Sequence, residues 1–262
     1  MTGMLGLGLF GAQAVLAELA ISRPGWGGES LNRVTLHGAD ARQQLVVTRS
    51  LGDGSVADQT REAALTAKPS GLVRITDGLV EPLANGTGVI TARTQAGETA
   101  TIPFEVKAVS SEKPVNFANS IVPLFTKHGC NSGGCHGKSS GQNGFKLSLL
   151  GFEPQEDYEY LLREARGRRI FPAAPERSLL LLKASGQLPH GGGSRIDAGS
   201  FDYKSIVKWI RQGMPYGKPD DPSLETIEVH PPERIMKPGA RQQLVVLAKM
   251  SDGSVEDLTH SA

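Results

Sequence analysis

The chemistry in this sequence is concentrated in one short run, Cys130-Asn-Ser-Gly-Gly-Cys135-His136, which holds both of the chain's cysteines and an imidazole directly after the second. Two thiols followed at once by a histidine is the arrangement that binds haem c. Each sulfur forms a thioether to a vinyl group, and the adjacent imidazole turns onto the iron. The usual gap between the cysteines is two residues and here it is four; Gly133-Gly134 supply the backbone freedom the longer loop needs. Two other readings stand beside this one. A zinc site wants four ligands, and no further cysteine exists to complete a finger or ribbon. A Cys130–Cys135 disulfide across the loop is feasible in an exported protein.

A ligand loop must be presented by regular structure on either side. Before it, Phe117, Ile121, Leu124 and Phe125 fall on one face of a helix that Gly129 stops. After it, residues 154–166 and 175–183 read as helices that open with proline in the first turn, and residues 201–213 as a last helix, stopped by Gly213 and Pro215. Residues 113–222 are therefore a separate domain with helical signals.

On both sides of that domain the same motif recurs. Residues 42–60 align without gaps to residues 241–259, with 12 of 19 positions identical. Each copy is a β-branched run, then Asp-Gly, then a second short run, the signal for a hairpin with a primed turn. After the first copy, runs at 71–76, 88–93 and 99–107 continue the strand pattern, with Asp77-Gly78 and Asn85-Gly86 as turns. Short strands with frequent turns predict a β-sandwich over 20–110. The offset pairs Ala262 with Ala63, so residues 223–262 read as the truncated start of a second sandwich and the chain as a piece of a longer one.

Composition narrows the field further. Lys+Arg 28 against Asp+Glu 27 gives a net charge of +1, without the footprint of a nucleic-acid binder. Glycine and proline, 48 of 262 residues, favour loop-rich architecture. Residues 4–17 are apolar and uncharged with Ala-x-Ala near their end, so 1–19 read as a signal peptide and the protein as exported, periplasmic or in the cell envelope. No Lys or Arg precedes Arg23 to form a basic leader, and a buried N-terminal helix is the other reading.

Residues 20–110 resemble the bacterial Ig-like (group 2) domain. The run from His128 through Cys135-His136-Gly-Lys, then 141–158, Gly167-Arg-Arg-Ile, 175–183 and His190-Gly-Gly-Gly is similar to the cytochrome c-like domain of planctomycete-type exported proteins that carry such Ig-like modules. The resemblance implies an Ig-like sandwich, a mainly α cytochrome c-like domain with one covalent haem c, and the start of a second sandwich. It also implies a distal ligand in the loop before the C-terminal helix, whose aromatic, Trp209, packs on the first helix. In that loop His190 takes the distal place, making the ligand pair His136 and His190. Met214 or an open position are the competing sixth-ligand assignments.

Other residues receive plainer expectations. Arg195, five residues past His190, is a candidate for a haem propionate. His128 reads as a helix C-terminal cap, and His37, His230 and His260 as structural or exposed. Arg163, Arg166, Arg168 and Arg169 read as a solvated face, with propionate or acidic-partner docking as the other possibility. The expected function is single-haem electron transfer or redox sensing on Ig-like spacers, with redox proteins as partners and no nucleic acid. The alternative is a non-redox adhesion or structural protein with the cysteines paired. No Gly-x-Ser-x-Gly, phosphate loop or His-Glu-x-x-His supports hydrolase, nucleotide or zinc-protease chemistry.

Overall fold

The computed structural model describes residues 18–51 and 55–261. It divides into two compact units, one comprising the chain up to Ser111 with His230–Val245, the other Glu112–Val229 with Val246–Ala262. The chain is mostly sheet, with four sheets and 21% helix. The leader segment and the Asp53-Gly54 turn lie outside the described residues, apart from Glu18 and Leu19. Leu19 already belongs to the first strand, where it pairs with Arg49.

The first part is all-β, as its alternation predicts. Its strands are β1 (Leu19–Pro24), β2 (Ser30–Leu31), β3 (Val34–His37), β4 (Gln43–Gln44), β5 (Val46–Ser50), β6 (Val56–Asp58), β7 (Ala64–Lys68), β8 (Val73–Thr76), β9 (Leu79–Pro82), β10 (Gly86–Arg93) and β11 (Thr99–Lys107). They form sheets ordered β2-β1-β5-β6, β3-β11-β10-β7 and β4-β9-β8, and β3 runs parallel to β11. Period-two alternation puts Ile102, Phe104 and Val106 of β11 inward, where they meet Ile21, Leu36, Val47, Val80 and Ile90 in one core. Asp77 and Gly78 both have positive φ, 50° and 83°, and Thr76 pairs with Leu79, so this Asp-Gly makes the primed two-residue turn that its sequence predicts.

The repeat appears as a repeated hairpin. The strands β12 (Leu224–His230), β13 (Val245–Met250) and β14 (Val255–Asp257) form a sheet in that order. The pair β13–β14 matches β5–β6 register for register, with Leu247 opposite Asp257 where Thr48 is opposite Asp58. The second Asp-Gly, however, does not form a primed turn. Gly253 donates to the Met250 carbonyl at 2.9 Å and alone has positive φ, 81°, which is a type I turn closed by a glycine bulge. One extra loop residue between Met250 and Ser254 requires it.

The intervening segment holds short helices joined by loops rather than a mainly helical body. Its helices are a π-turn at Phe117–Ile121 running into α1 (Val122–Lys127), then α2 (Pro154–Leu162), α3 (Leu179–Ala184) and α4 (Phe201–Arg211). The apolar face read from sequence is the buried one: Phe117, Ile121, Leu124 and Phe125 all lie in the core. Trp209 of α4, fully buried, packs on Phe117 with ring centres 5.2 Å apart, and its indole N–H donates to the Pro215 carbonyl at 2.9 Å. The first and last helices of the segment thus meet through aromatic rings. Ser200 caps α4 by accepting from the Tyr203 N–H at 3.2 Å, and Gly213, φ 81°, follows its end.

Candidate functional site

The cysteine loop leaves α1 through Gly129, whose φ of 69° suits glycine, and the Cys130 N–H donates to the Phe125 carbonyl at 2.7 Å. The loop then closes on itself. The His136 N–H donates to the Cys130 carbonyl at 3.0 Å, and the Cys135 and Gly137 N–H groups both donate to the Ser132 carbonyl at 3.0 Å. These bonds accommodate four residues between the cysteines. Asn131 is buried beneath the loop, where its side-chain amide donates to Thr126 Oγ1 at 2.9 Å and its main-chain carbonyl accepts from the Leu150 N–H. The glycine requirement falls elsewhere than expected. Neither Gly133 nor Gly134 has positive φ, and a side chain at Gly134 would meet nothing within 4 Å. At Gly137 a Cβ would lie 1.9 Å from the Asn131 carbonyl oxygen, so the tight return of the loop, rather than its middle, excludes a side chain.

His136 and His190 come together, from elements more than fifty residues apart. Their imidazole planes are parallel within 6° and their centres are 6.1 Å apart. His136 Nδ1 is 3.0 Å from the Phe145 carbonyl oxygen, and His190 Nδ1 is 2.9 Å from that of Gly193. Since a carbonyl only accepts, both Nδ1 atoms carry the proton, and both Nε2 atoms keep a lone pair with no protein partner among the described residues. Burial pushes the His136 pKa below its ordinary value and outweighs the Phe145 bond, with His190 and Arg169 adding to the lowering. His136 is therefore neutral at pH 7. A metal held at roughly 2.0–2.1 Å by each of two imidazoles sets their ring centres about 6 Å apart, a separation these two rings have. Gly192 lies against the His190 ring, where a Cβ would approach Cε1 to 3.0 Å.

Cys130 and Cys135 are half-buried and not bonded to each other. Burial pushes the Cys130 thiol up to about 11, Arg195 opposing, so it is protonated at neutral pH. Arg195 is exposed, donates to the Gly192 carbonyl at 2.7 Å through Nε and brings Nη2 to 3.9 Å from Cys135 Sγ. One side chain thus spans the His190 loop and the second cysteine. Met214 packs on the helical core, where its carbonyl accepts from the Tyr158 hydroxyl at 2.7 Å. Among the described residues no group of three or more His, Cys, Asp and Glu side chains gathers to hold a metal ion.

Two residues do more than their sequence context suggested. Arg169, read within a solvated arginine face, is buried, and its guanidinium donates to the Tyr160, Glu164 and Gly144 carbonyls. His128 caps α1 with its main chain, as expected, and its ring also pairs with buried Asp202 on α4 at 2.7 Å. In comparisons with known proteins, no family model and no curated sequence matches the chain.

Proposed function

We propose that residues 112–229 carry one haem c, attached through Cys130 and Cys135 and ligated by His136 and His190, as an electron-transfer or redox-sensing module of an exported protein. The observation that carries this reading is the histidine pair: parallel rings 6.1 Å apart, each Nδ1 held by a main-chain carbonyl and each Nε2 left with a lone pair. A bound haem would supply one-electron chemistry at its iron. The chain's own work is to hold. Phe145 and Gly193 fix the tautomer and orientation of the two imidazoles, the usual role of such outer partners. The main-chain bond from His136 to Cys130 closes the loop so that both cysteines and His136 belong to one tight turn. With both His136 and His190 as ligands, a bound haem would be closed to exogenous molecules and suited to electron transfer over peroxidase-like chemistry. The resemblance to the planctomycete-type cytochrome c-like domain supports the same assignment, as does the Phe117–Trp209 contact between first and last helices. The β module is read as an Ig-like spacer, with redox proteins as partners in the cell envelope.

The test is the pyridine haemochrome spectrum of protein produced with haem-attachment machinery. A c-type α-band is expected, with a low-spin spectrum that cyanide and carbon monoxide leave unchanged. Cys135→Ser should weaken or abolish haem staining on a denaturing gel, and His190→Ala should open the iron to carbon monoxide. A wild-type protein without covalent haem returns the reading to adhesion, with the cysteines free to pair.

A further inference from the structure

Arg169 is a buried cation that ties together three main-chain carbonyls and the Phe145 ring. Its side chain is 6% exposed, and it forms one of the best-bonded groups in the helical unit. Nη1 donates to the carbonyls of Tyr160 at 2.6 Å and Glu164 at 3.1 Å, and Nη2 to that of Gly144 at 2.5 Å. The guanidinium carbon lies 4.4 Å from the centre of the Phe145 ring, a cation–π contact. The Phe145 ring in turn lies 4.6 Å from that of His136, and the Phe145 carbonyl takes the His136 Nδ1 proton. Arg169 therefore grips Phe145 by its ring and by the carbonyl of the residue before it, and Phe145 grips His136 by ring and carbonyl.

The approach to Arg169 is also unusual. Ala165, Arg166 and Gly167 have φ of 51°, 60° and 66°, three left-handed residues in succession, two of them not glycine. Non-glycine residues in this region are strained, and such conformations persist where the surroundings over-determine them. The turn sets the Glu164 carbonyl and the Arg169 guanidinium on each other. An apolar residue at 169 would leave the Tyr160, Glu164 and Gly144 carbonyls to find other donors.

We infer that Arg169 is a positioning residue for His136: its guanidinium clamps Phe145 so that the imidazole keeps one orientation and one tautomer, and it sets a fixed positive charge behind that ring. The inference rests on the haem reading for its redox consequence and on the chain alone for the tautomer. A buried positive charge near the iron favours the reduced form, whose iron carries one positive charge fewer. Glu164, 3.7 Å from Arg169 and 44% exposed, is the acidic group paired with it among the described residues and screens it only in part. The guanidinium stays protonated although burial lowers its pKa.

The experiment uses the full chain in both haem-loaded and haem-free forms. In the loaded protein Arg169→Gln should shift the midpoint potential downward, and Arg169→Lys, which keeps the charge, should restore most of the shift. An unchanged potential in a folded Arg169→Gln protein overturns the redox consequence. If that variant does not accumulate, Phe145→Leu removes the ring under the guanidinium and leaves every carbonyl in place. Since it keeps the Arg169 charge, it should leave the potential near the wild-type value and mix the His136 tautomers in the haem-free form, and an unchanged tautomer there overturns the clamp. In the haem-free form, nitrogen NMR of the imidazoles should show the His136 proton on Nδ1. Arg169→Gln should mix the tautomers at His136 and leave His190 alone. An unchanged His136 tautomer overturns the clamp itself, whereas a mixed tautomer in a protein that never takes up haem overturns only the haem reading.

Discussion

The two hairpins and the loops that carry His136 and His190 are held by opposite means. In β5–β6 the Val47 N–H donates to Thr60 Oγ1, the Thr60 N–H to Asp58 Oδ1 and the Gln59 N–H to the Val47 carbonyl; in β13–β14 the Val246, Thr259 and Leu258 N–H groups make the same three bonds to Thr259, Asp257 and Val246. A ladder with a threonine latch fixes these segments, and a changed side chain on the solvent face disturbs little. The loops that carry His136 and His190 have no ladder. Beside a few main-chain bonds, their shape depends on individual side chains: Asn131 donates to the Thr126 hydroxyl, and Arg169 and Arg195 donate to main-chain carbonyls. Ladder-held segments tolerate substitution and loops of this kind do not, so the part of the molecule with chemistry is the part whose geometry is easiest to lose.

That contrast can be broken most directly at Trp209. Trp209→Ala removes a fully buried indole and should cost about 3–5 kcal/mol in the helical unit. Thermal unfolding monitored by circular dichroism should split, with the helical signal lost well below the β signal; a single shifted transition would show that the two units unfold as one. The latches come next. Thr60→Val and Thr259→Val each leave a backbone N–H without its acceptor, worth about 1–3 kcal/mol where burial is complete. Thr60 is the more buried of the pair, so denaturant titration should find the larger loss there, and equal losses would break the ranking. Smaller still is Gly253→Ala, which places a Cβ at φ 81° and should cost about 1 kcal/mol in β13–β14 by the same measurement.

The pH dependence sharpens the comparison from another side. Burial raises the Glu81 pKa, but bonds and charges from Arg74 and Arg42 outweigh it, and the folded value lies below the ordinary 4.5. Its stabilising contribution is complete above that ordinary value and is lost as pH falls through the lowered one. Asp157 runs the other way. Burial raises its pKa above the ordinary 3.8 despite the bonds from the Ser148 N–H and hydroxyl, so its contribution is complete below 3.8 and is lost as pH rises through the raised value. Acidification should therefore weaken the β unit through Glu81 while relieving the helical unit through Asp157. Urea titrations across pH should show both slopes, flattened in Glu81→Gln and Asp157→Asn respectively. Trp26 and Trp209, the chain's two tryptophans, report the two units by fluorescence.

Much of this architecture could be read from residue pattern alone. The apolar period of Phe117, Ile121, Leu124 and Phe125 and the glycine stops at 129 and 213 mark helices that the structure contains, and the 42–60 repeat marks a hairpin repeated bond for bond. Turn type was less legible, because Asp77-Gly78 and Asp252-Gly253 are the same dipeptide in loops of different length, and loop length follows from the register of strands already paired. The cysteine–histidine run announced itself through spacing. Arg169 did not: it stands beside an exposed arginine, and a left-handed turn before it breaks any period from which burial could be inferred. Nothing in local sequence ties Phe145 to His136, since that contact is made by a main-chain carbonyl, which every residue has.

The same turn at 165–167 has a consequence for the life of the molecule outside the test tube. It is conformationally costly, its side chains at Arg163, Arg166 and Arg168 are exposed, and it is anchored chiefly by one buried residue. A segment of that kind opens at lower free energy than the helices beside it, and each opening offers peptide bonds after arginine to a trypsin-like protease. Cleavage there would sever the anchor from the ring it holds, so the first nick in the chain would fall on the residues that keep His136 in place, and loss of function would precede loss of fold.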